Sequence, residues 1–339
     1  MTSKKQRDDG ATSDQPATQP PSPDAGPDKP SQLPKRAWFA AIKNSVKEFS
    51  KDNATDWAAA LTYYGVLSIF PGILVLVSLV GVVGEGPINT VKEDLLGAAP
   101  ANVRDILEPA IERLQQNQTA GLAAIIGLLT AFWAASGYIG AFMRASNAMY
   151  DVPEGRPFWK TIPLRLGITA LVGALLIVSA AIVVVTGPVA EWVGDRIGLG
   201  SAAVTTWNIL KWPVLVILVS LMIAVLYYVS PNARRAGFRW VTPGSFLAVL
   251  LWIVASAGFA VYAANFASYG ETYGTIAGVI VFLVWLWITN NAILFGAELD
   301  AELERQRAIS AGYEDGREPF LQLRDDRKVK SDERDREPA

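Results

Sequence analysis

The stretch from Pro243 to Glu304 reads PGSFLAVLLWIVASAGFAVYAANFASYGETYGTIAGVIVFLVWLWITNNAILFGAELDAELE. It contains two long apolar runs on either side of a short polar hinge, Asn265 to Thr275. Apolar runs of this length match the roughly 20 residues that a helix needs to cross a bilayer. The second run carries two amides, Asn290 and Asn291, in its interior. The stretch therefore predicts two membrane-spanning helices, one of which must find polar partners for its amides.

The composition agrees with a membrane protein. The chain has 339 residues, of which 51% are hydrophobic and only 18% charged, against about 25% charged in soluble domains. It contains no cysteine and no histidine. Disulfides, thiolate nucleophiles and cysteine-bound zinc are therefore excluded, and the commonest metal ligand and general base is missing. We expect no cofactor, no metal site and no catalytic residue, although an all-carboxylate magnesium site is not excluded by these absences.

The two ends of the chain differ in composition from its middle. Residues 1–34 are rich in Pro, Ser, Asp, Gln and Thr, which predicts a disordered cytoplasmic tail. No apolar run follows the first residues, so no cleaved signal peptide is predicted. Residues 305–339 are charged and poor in apolar side chains, which predicts a second, solvated cytoplasmic tail. The membrane domain is expected between them, from 35 to 304.

Six apolar segments within this domain predict an all-α, polytopic membrane protein with six transmembrane helices. The spans are expected at about 57–83, 120–143, 162–185, 207–229, 242–264 and 274–299. Pro71 should kink the first span, since proline removes a backbone hydrogen bond. No internal repeat supports an inverted-repeat transporter.

Two further segments have the pattern of amphipathic interfacial helices. Lys35–Asp52 combines large apolar residues on one face with five cations. It is expected either to lie on an anionic membrane surface or to pack on other parts of the protein, and its pattern fits both equally. Gly84–Thr119 carries apolar residues at helical spacing and predicts a helix resting on the membrane or capping the bundle.

The distribution of cations predicts the orientation. Positive charge concentrates in four segments: five cations in Lys35–Lys51, four from Arg144 to Arg165, three from Arg234 to Arg239, then Arg305 and Arg307. These segments alternate with the predicted spans so that all four fall on one side. By the positive-inside rule, a multi-pass protein of the cell (inner) membrane with both termini in the cytoplasm is expected.

This orientation brings the unusual polar residues toward the inner side. The candidate residues are Asp56, Tyr63, Tyr64, Ser136, Arg144, Asn147, Asn290, Asn291 and Glu298. One hypothesis is an inward-facing polar pocket walled by spans one, two and six. The other is an interhelical hydrogen-bond network, in which Arg144 pairs with Glu298 or Asp56 and fixes the topology. Under either hypothesis the amides find hydrogen-bond partners, without which their burial would cost free energy.

The polar hinge is predicted on the outer side. Its candidate residues are Asn265, Tyr269, Gly270, Tyr273 and Gly274. Two glycines suit a tight turn, and two tyrosines suit the headgroup level of a membrane. The hinge is expected to be a plain interfacial hairpin, with a binding loop for a lipid or a polar solute as the alternative.

Several short motifs follow one another along the chain: DWAAALTYY at 56–64, SIFP at 68–71, Tyr228 with Pro231-Asn232, Pro243-Gly244, NFASY at 265–269, TYG at 272–274 and FGAEL at 295–299. In this order, and over about Lys35 to Arg305, the chain resembles the YihY/BrkB family of membrane proteins. The resemblance implies a six-span bacterial inner-membrane protein with both termini in the cytoplasm. Members have been named ribonuclease BN, virulence factor BrkB or envelope integrity protein.

Three functions follow from this reading. The first is a role in envelope integrity through transport or handling of a lipid or amphiphilic solute, with membrane lipids as partners. The second is a non-transporting scaffold for envelope assembly, with an envelope protein or a second copy of the chain as partner. The sequence favours a ribonuclease least, because it offers no histidine, no metal-ligand cluster and no basic domain to hold RNA. No nucleic-acid partner is expected.

Overall fold

A computed structural model of the chain describes residues 20–83, 120–184, 201–240, 242–266 and 270–334. These ranges contain α1 (Lys35–Lys51), α2 (Ala54–Val83), α3 (Ala120–Met149), α4 (Phe158–Val184), α5 (Ser201–Val229), α6 (Thr242–Phe266), α7 (Gly270–Ser310) and α8 (Arg327–Arg334). Two short 3-10 helices lie at Pro30–Gln32 and Phe238–Trp240. No β-strand forms within the described ranges, and the predicted all-α class is confirmed.

Five described segments are long and apolar enough to cross a membrane, as judged by length and composition. They are Ile125–Met149, Phe158–Val183, Val204–Val229, Phe238–Tyr262 and Gly278–Ser310, and they coincide with predicted spans two to six. The predicted first span lies within α2, which is helical through Pro71. The side chains of α2 from Phe70 onward, and the whole of 84–119, lie outside the described residues. The polytopic membrane architecture is confirmed.

The long helices form a ring in chain order. Each of the helices α2 to α6 packs against the next helix in sequence. Helix α7 in turn contacts α2, which closes the ring. Helix α7 also contacts α3, and α1 lies on its outside. Because α2 to α6 are apolar on most faces, each can pack on two neighbours and still present hydrocarbon outward.

Helix α7 is longer than its predicted span. It continues eleven residues past Leu299, to Ser310. Hydropathy ends a span at the first charges, whereas a helix continues when those charges find partners. Here Arg305 pairs with Glu302 and Arg307 with Glu304, each one helical turn apart, an arrangement that stabilises a helix.

Helix α1 packs on other parts of the protein, as one of the two expectations for it predicts. Its small residues Ala37, Ala41 and Ser45 are buried, and α1 packs on α7. Other apolar residues of α1 point away from the protein, with exposed fractions of 72% for Phe39 and 60% for Val46. The helix is therefore docked on protein by one face and offers an uncovered apolar face on another.

The described parts of both chain ends are packed, which differs from the expectation of a solvated second tail. Leu33 is buried, and the Trp38 indole donates a hydrogen bond to the Pro30 carbonyl at 3.0 Å. Near the other end, Phe320 and Leu321 are buried in the main core. Apolar residues that are sparse in sequence can still anchor a segment when each occupies a buried position. Residues 1–19 and 335–339 lie outside the described residues.

Both described ends of the chain meet the same end of the ring, which we call the terminal end. Arg307 of α7 donates hydrogen bonds to the carbonyls of Pro23 and Ala25. Asn232, which follows α5, exchanges hydrogen bonds with the backbone of Asp325. The four cation-rich segments therefore come together at the terminal end.

Candidate functional site

A buried amide connects three helices in the middle of the bundle. Asn290 of α7 is 1% exposed. The Tyr138 hydroxyl of α3 donates to Asn290 Oδ1 at 2.9 Å, and Asn290 Nδ2 donates to Thr62 Oγ1 of α2 at 3.1 Å. Thr62 in turn donates to the carbonyl of Ala58 at 2.8 Å. We call Asn290, Tyr138 and Thr62 the amide junction; its hydrogen bonds satisfy an amide that would otherwise cost free energy in this apolar setting.

The neighbouring amide behaves differently. Asn291 is half-buried, and its Nδ2 donates to the Trp287 carbonyl of its own helix at 2.8 Å. Consecutive residues on a helix point about 100° apart. Asn290 therefore joins the helices, while Asn291 caps a carbonyl within α7.

An open groove lies beside the amide junction, between α2 and α7. It has a volume of about 390 Å³ and is lined by Ala59, Thr62, Tyr63, Leu283, Val284 and Trp287. We call it the lateral groove. Its lining is almost entirely apolar, and Thr62 belongs to both the groove and the amide junction. The Trp287 indole donates to the Thr55 carbonyl at 3.3 Å and ties the two walls together.

The remaining predicted residues of spans one and two do not converge on one pocket. Asp56 is exposed in the first turn of α2, where a negative charge is favourable. Tyr63 is 61% exposed in the groove wall. The ring of Tyr64 lies against Gly137, where a Cβ would come within 2.7 Å of it. The Ser136 hydroxyl donates to Trp133 of its own helix at 2.8 Å.

Arg144 does not form the predicted pair. Its side chain is exposed and lies near Arg165 beside Gly140, and no ion pair joins it to Glu298 or Asp56 in the described part of the chain. The reason is its direction: Gly140 and Arg144 share a face of α3 that looks toward α4 rather than toward α7.

Asn147 joins a different network from the predicted one. Its Nδ2 donates to Glu154 Oε2 at 2.9 Å, and its Oδ1 accepts from the backbone N–H of Asn232 at 2.7 Å. Arg156 donates to the same Glu154 at 2.7 Å and to the carbonyl of Ser230. This network joins the connection after α3 to the one after α5.

The C-terminal segment closes this network. Asn232 donates to the Asp325 carbonyl at 2.8 Å, and Arg324 donates to the Tyr228 carbonyl at the end of α5 at 3.0 Å. Lys160 pairs with the Asp325 carboxylate at 2.5 Å. Sequence reasoning missed Glu154, Arg156 and Asn232 as one unit. The nearest signal was Pro231-Asn232 within the family motif, which marks a position but names no partner.

The C-terminal part of α7 carries six buried charges within ten positions. We call Glu298 to Arg307 the charged layer. Arg307 donates to Glu304 Oε2 at 2.8 Å, and both side chains are 0% exposed. Arg235 lies 3.5 Å from Glu304 Oε1 and stacks over the Tyr150 ring at 4.8 Å. Charges buried to this degree persist only when paired, so these contacts fix α7 against its surroundings.

Helices α6 and α7 touch backbone to backbone next to the charged layer. A Cβ at Gly244 would lie 2.1 Å from the Gly296 carbonyl, and a Cβ at Gly296 would lie 2.4 Å from the Gly244 carbonyl. Asp300 Oδ1 accepts the Gly244 N–H at 2.7 Å. The FGAEL motif therefore contributes a crossing point: the glycine permits the approach, and the acid one turn later holds it.

Glu298 is the exception within the charged layer. It is 1% exposed, and neither of its carboxylate oxygens has a hydrogen-bond partner among the described residues. The sequence placed it at the mouth of a pocket on the helix face of Asn291. In the structure it is sealed beneath α1.

Outside the membrane spans, the pKa of a buried acidic side chain depends on whether it has a partner that stabilises its charge. Burial, and then the charges of Asp151 and Glu48, raise the pKa of Asp52 to about 7. Burial also acts to raise the pKa of Glu154, but the hydrogen bonds from Arg156 and Asn147 outweigh it and hold that pKa below its ordinary value. The described residues contain no group of three or more acidic, histidine or cysteine side chains arranged to hold a metal ion.

The predicted outer hinge is only partly visible. Helix α6 ends at Phe266 and α7 begins at Gly270, so the helices extend into the predicted hinge. Tyr269 lies outside the described residues. Asn265, Tyr273 and Gly274 lie in helices, but their side chains are not among those described. The binding-loop hypothesis stays a prediction.

Comparison with known proteins gives a consistent result. The model of a family described as virulence factor BrkB matches residues 45–319. The ribonuclease-like protein YfkH of Bacillus subtilis is 27% identical over 272 residues, which cover 79% of this chain and 96% of YfkH. A UPF0761 membrane protein of Rhodospirillum centenum is 25% identical over 82% of this chain, which spans 60% of that relative. A third, from Chromohalobacter salexigens, is 28% identical over 82% of this chain and 67% of its own length. No solved structure matches the chain.

Proposed function

The chain belongs to the virulence factor BrkB family, and from that premise we propose that it handles a lipid or an amphiphilic solute in the cell envelope. That it is an integral membrane protein follows from the family and from its apolar helices. The finer proposal rests on the shape and lining of the lateral groove.

The lateral groove supports the proposal because its almost entirely apolar lining suits a hydrocarbon chain. Leu283 and Val284 form one wall, and Ala59 and the half-exposed Tyr63 form the other. Its volume of about 390 Å³ falls within the range of small-molecule sites. The groove is open, so a chain of hydrocarbon could enter sideways from a bilayer. The amide junction behind it is closed, which gives the groove a fixed back wall.

Helix α1 supports the same proposal at the membrane surface. Its uncovered apolar residues Phe39, Ile42 and Val46 stand beside exposed lysines, Lys43 and Lys47. Apolar side chains flanked by cations are typical of helices that lie on anionic leaflets. We propose that α1 rests on the lipid headgroups at the terminal end.

We propose further that the terminal end faces the cytoplasm of an inner-membrane protein. The support is the excess of cations in the four segments that meet there, by the positive-inside rule. The chain contains no cysteine, so single cysteines introduced at the exposed residues Glu314 and Asp315 can report the side directly. Labelling of intact spheroplasts by a membrane-impermeant maleimide should fail and should succeed after lysis; labelling before lysis would contradict the orientation.

The lipid proposal is tested with purified protein in liposomes that carry fluorescent phospholipid in both leaflets. If the groove carries the amphiphile, the protein should accelerate lipid exchange between leaflets, and Val284→Trp should abolish the acceleration by filling the groove. Ile217→Trp on α5 is the matched control, since Ile217 is also apolar and 64% exposed but lies outside the groove. Equal exchange with Val284→Trp and with unmodified protein would reject the groove as the path.

A non-transporting scaffold is the alternative, and the charged layer favours it. Arg307 and Glu304 are fully buried, and the described chain ends are fastened over the terminal end, as a rigid docking platform would be. In that case liposomes would show no lipid exchange, and the protein would co-purify with an envelope protein or a second copy of itself. A ribonuclease has less support still. The name ribonuclease-like belongs to the Bacillus relative, and a chain without histidine lacks the usual general base.

A further inference from the structure

Acidic side chains from four parts of the chain gather where the α1–α2 turn packs on α7. The group, which we call the carboxylate cluster, consists of Glu48, Asp52, Asp151, Glu298, Glu302 and Glu318. Three cations, Lys47, Lys51 and Arg305, lie among them. Carboxylates therefore outnumber cations two to one at this place, and the pairing decides which carboxylates are neutralised.

Lys51 serves the outer edge of the cluster. Its Nζ lies 3.0 Å from Glu48 Oε2 and 3.3 Å from Glu318 Oε1. The side chains of Lys51 and Glu318 are 53% and 41% exposed, so these pairs face solvent. Lys51 is therefore fully committed at the surface of the cluster.

Arg305 serves the inner edge. Its Nη2 lies 2.7 Å from Asp151 Oδ2, and its Nε lies 3.0 Å from Glu302 Oε1. The Arg305 guanidinium also stacks over the ring of Phe320, and this contact holds the guanidinium in place. Within the described residues, Asp52 and Glu298 are the members of the cluster that form no ion pair.

Glu298 is buried as well as unpaired. It is 1% exposed, and neither oxygen accepts a hydrogen bond from the residues that the structure describes. The charges that act on it from α1, from α7 and from the connection after α3 are Asp52, Glu302, Glu48 and Asp151. Isolated negative charge in such a place carries a large desolvation cost. Within the described part of the chain, the acid is thus shielded from solvent and has neither the donor nor the counter-charge that an ionised carboxylate needs.

The position of Asp52 in the fold is unfavourable for a negative charge. It caps the C-terminus of α1, where unsatisfied carbonyls carry partial negative charge. Its nearest cations are already engaged by Glu48, Asp151 and Glu302. Its pKa of about 7, raised mainly by burial and then by Asp151 and Glu48, agrees with this placement.

We propose that Glu298 and Asp52 form a cation-binding site between the α1–α2 turn and α7, and that the cation bound there is a proton. A bound proton removes the charge that has no partner and lets the turn remain packed on α7. Loss of the proton leaves two facing negative charges and weakens that contact. The described carboxylates do not form a group able to hold a metal ion, which favours a proton over a divalent ion. This proposal does not depend on whether the protein moves lipid.

Infrared difference spectroscopy on the full-length protein in nanodiscs tests this directly. Protonated carboxylic acids have a C=O stretch that ionised carboxylates lack. Between about pH 5 and pH 9, where ordinary Asp and Glu are ionised, unmodified protein should show a titrating acid band. Glu298→Gln should remove the part of this band that belongs to Glu298 and leave the part that belongs to Asp52, whereas Glu314→Gln, at a side chain 55% exposed, should leave the whole band unchanged.

Asp52→Asn gives an independent test should Glu298→Gln fail to fold. Removing the charge of Asp52 should shift the midpoint of the remaining Glu298 band to lower pH. An unchanged midpoint, or the absence of any acid band above about pH 6 in the unmodified protein, would overturn the proposal. A midpoint that moves with the sodium or potassium concentration at constant ionic strength would also overturn it, because the ligand would then be a metal cation.

Discussion

The two halves of α7 differ in what surrounds them. From Gly278 to Thr289 none of its side chains is buried, whereas from Asn290 to Arg307 most are. Yet the first half is apolar and the second half carries nearly all the charges. In water the opposite distribution would be expected. The comparison shows that in this protein hydrocarbon faces outward toward lipid, while polar and charged groups hold the inside of the terminal end together.

The largest effect should follow from breaking a buried charge pair in the second half. Arg307→Gln leaves Glu304 with a charge in a fully buried position and removes the hydrogen bonds to Pro23 and Ala25. A loss of roughly 3–5 kcal/mol of unfolding free energy is expected. Arg317→Gln is the control, because its pair with Glu314 is about half exposed and such pairs contribute at most about 1 kcal/mol. Denaturant unfolding in nanodiscs measures both; equal losses would contradict the comparison.

A second test disrupts the close contact at which α6 and α7 cross. Gly296→Val must push the helices apart, because a Cβ there would lie 2.4 Å from a carbonyl oxygen of Gly244. A loss of about 3 kcal/mol is expected, the upper end for overpacking. Gly258→Val on α6 is the matched control, since its Cβ would meet nothing within 4 Å. Thermal unfolding of the two variants should differ clearly, and similar midpoints would show that α6 and α7 do not need the close approach.

The boundary between the halves can be tested at the two amides. Asn290→Ala removes the acceptor of Tyr138 and the donor to Thr62. Hydrogen bonds between membrane helices contribute about 0.6–1.7 kcal/mol, so a loss of that order is expected. Asn291→Ala removes only a contact within its own helix and should have little effect. Unfolding in mixed micelles would compare them. If lipid exchange per folded molecule survives Asn290→Ala, the amide junction acts as packing and not as part of a path.

The α1–α2 turn predicts a dependence on pH. Because the pKa of Asp52 is raised to about 7, the folded protein keeps a proton that the unfolded chain loses near pH 4. The stability contributed by that proton is complete below about pH 4 and is lost as the pH rises to about 7. Asp52→Asn should therefore be more stable than the unmodified protein at pH 8 and equal to it near pH 4. Asp56→Asn, at an exposed acid, should show no such gain; a gain in both would point to net charge instead.

The smallest effect on stability is expected at the surface of α1. Lys43→Gln together with Lys47→Gln should change the unfolding free energy by less than about 0.5 kcal/mol per site, since both side chains are exposed. The pair should nevertheless reduce contact with anionic bilayers, because each lysine contributes about 1 kcal/mol near such a surface. A fluorescent probe on Val46→Cys would report that contact in neutral and anionic nanodiscs. An identical signal in both lipids would remove the proposed role of α1.

Much of the first half of α7 could be predicted from sequence, and much of the second half could not. Hydropathy located the spans because burial in lipid depends on composition averaged over about 20 residues. Pairing in the charged layer depends on contacts between residues far apart in the chain, such as Arg235 with Glu304. Composition carries no information on those partners. The same limit explains Arg144: its charge was visible, but the direction of its side chain depends on how α3 rotates against its neighbours.

The contact of Arg307 with Pro23 and Ala25 has a consequence for biosynthesis. The N-terminal segment leaves the ribosome first, and its binding partner is made more than 280 residues later. At about 5–20 residues per second, the segment waits on the order of 15–60 seconds before Arg307 exists. Assembly of the terminal end is thus a late event, in which α7 binds Pro23 and Ala25 long after these residues have been synthesised.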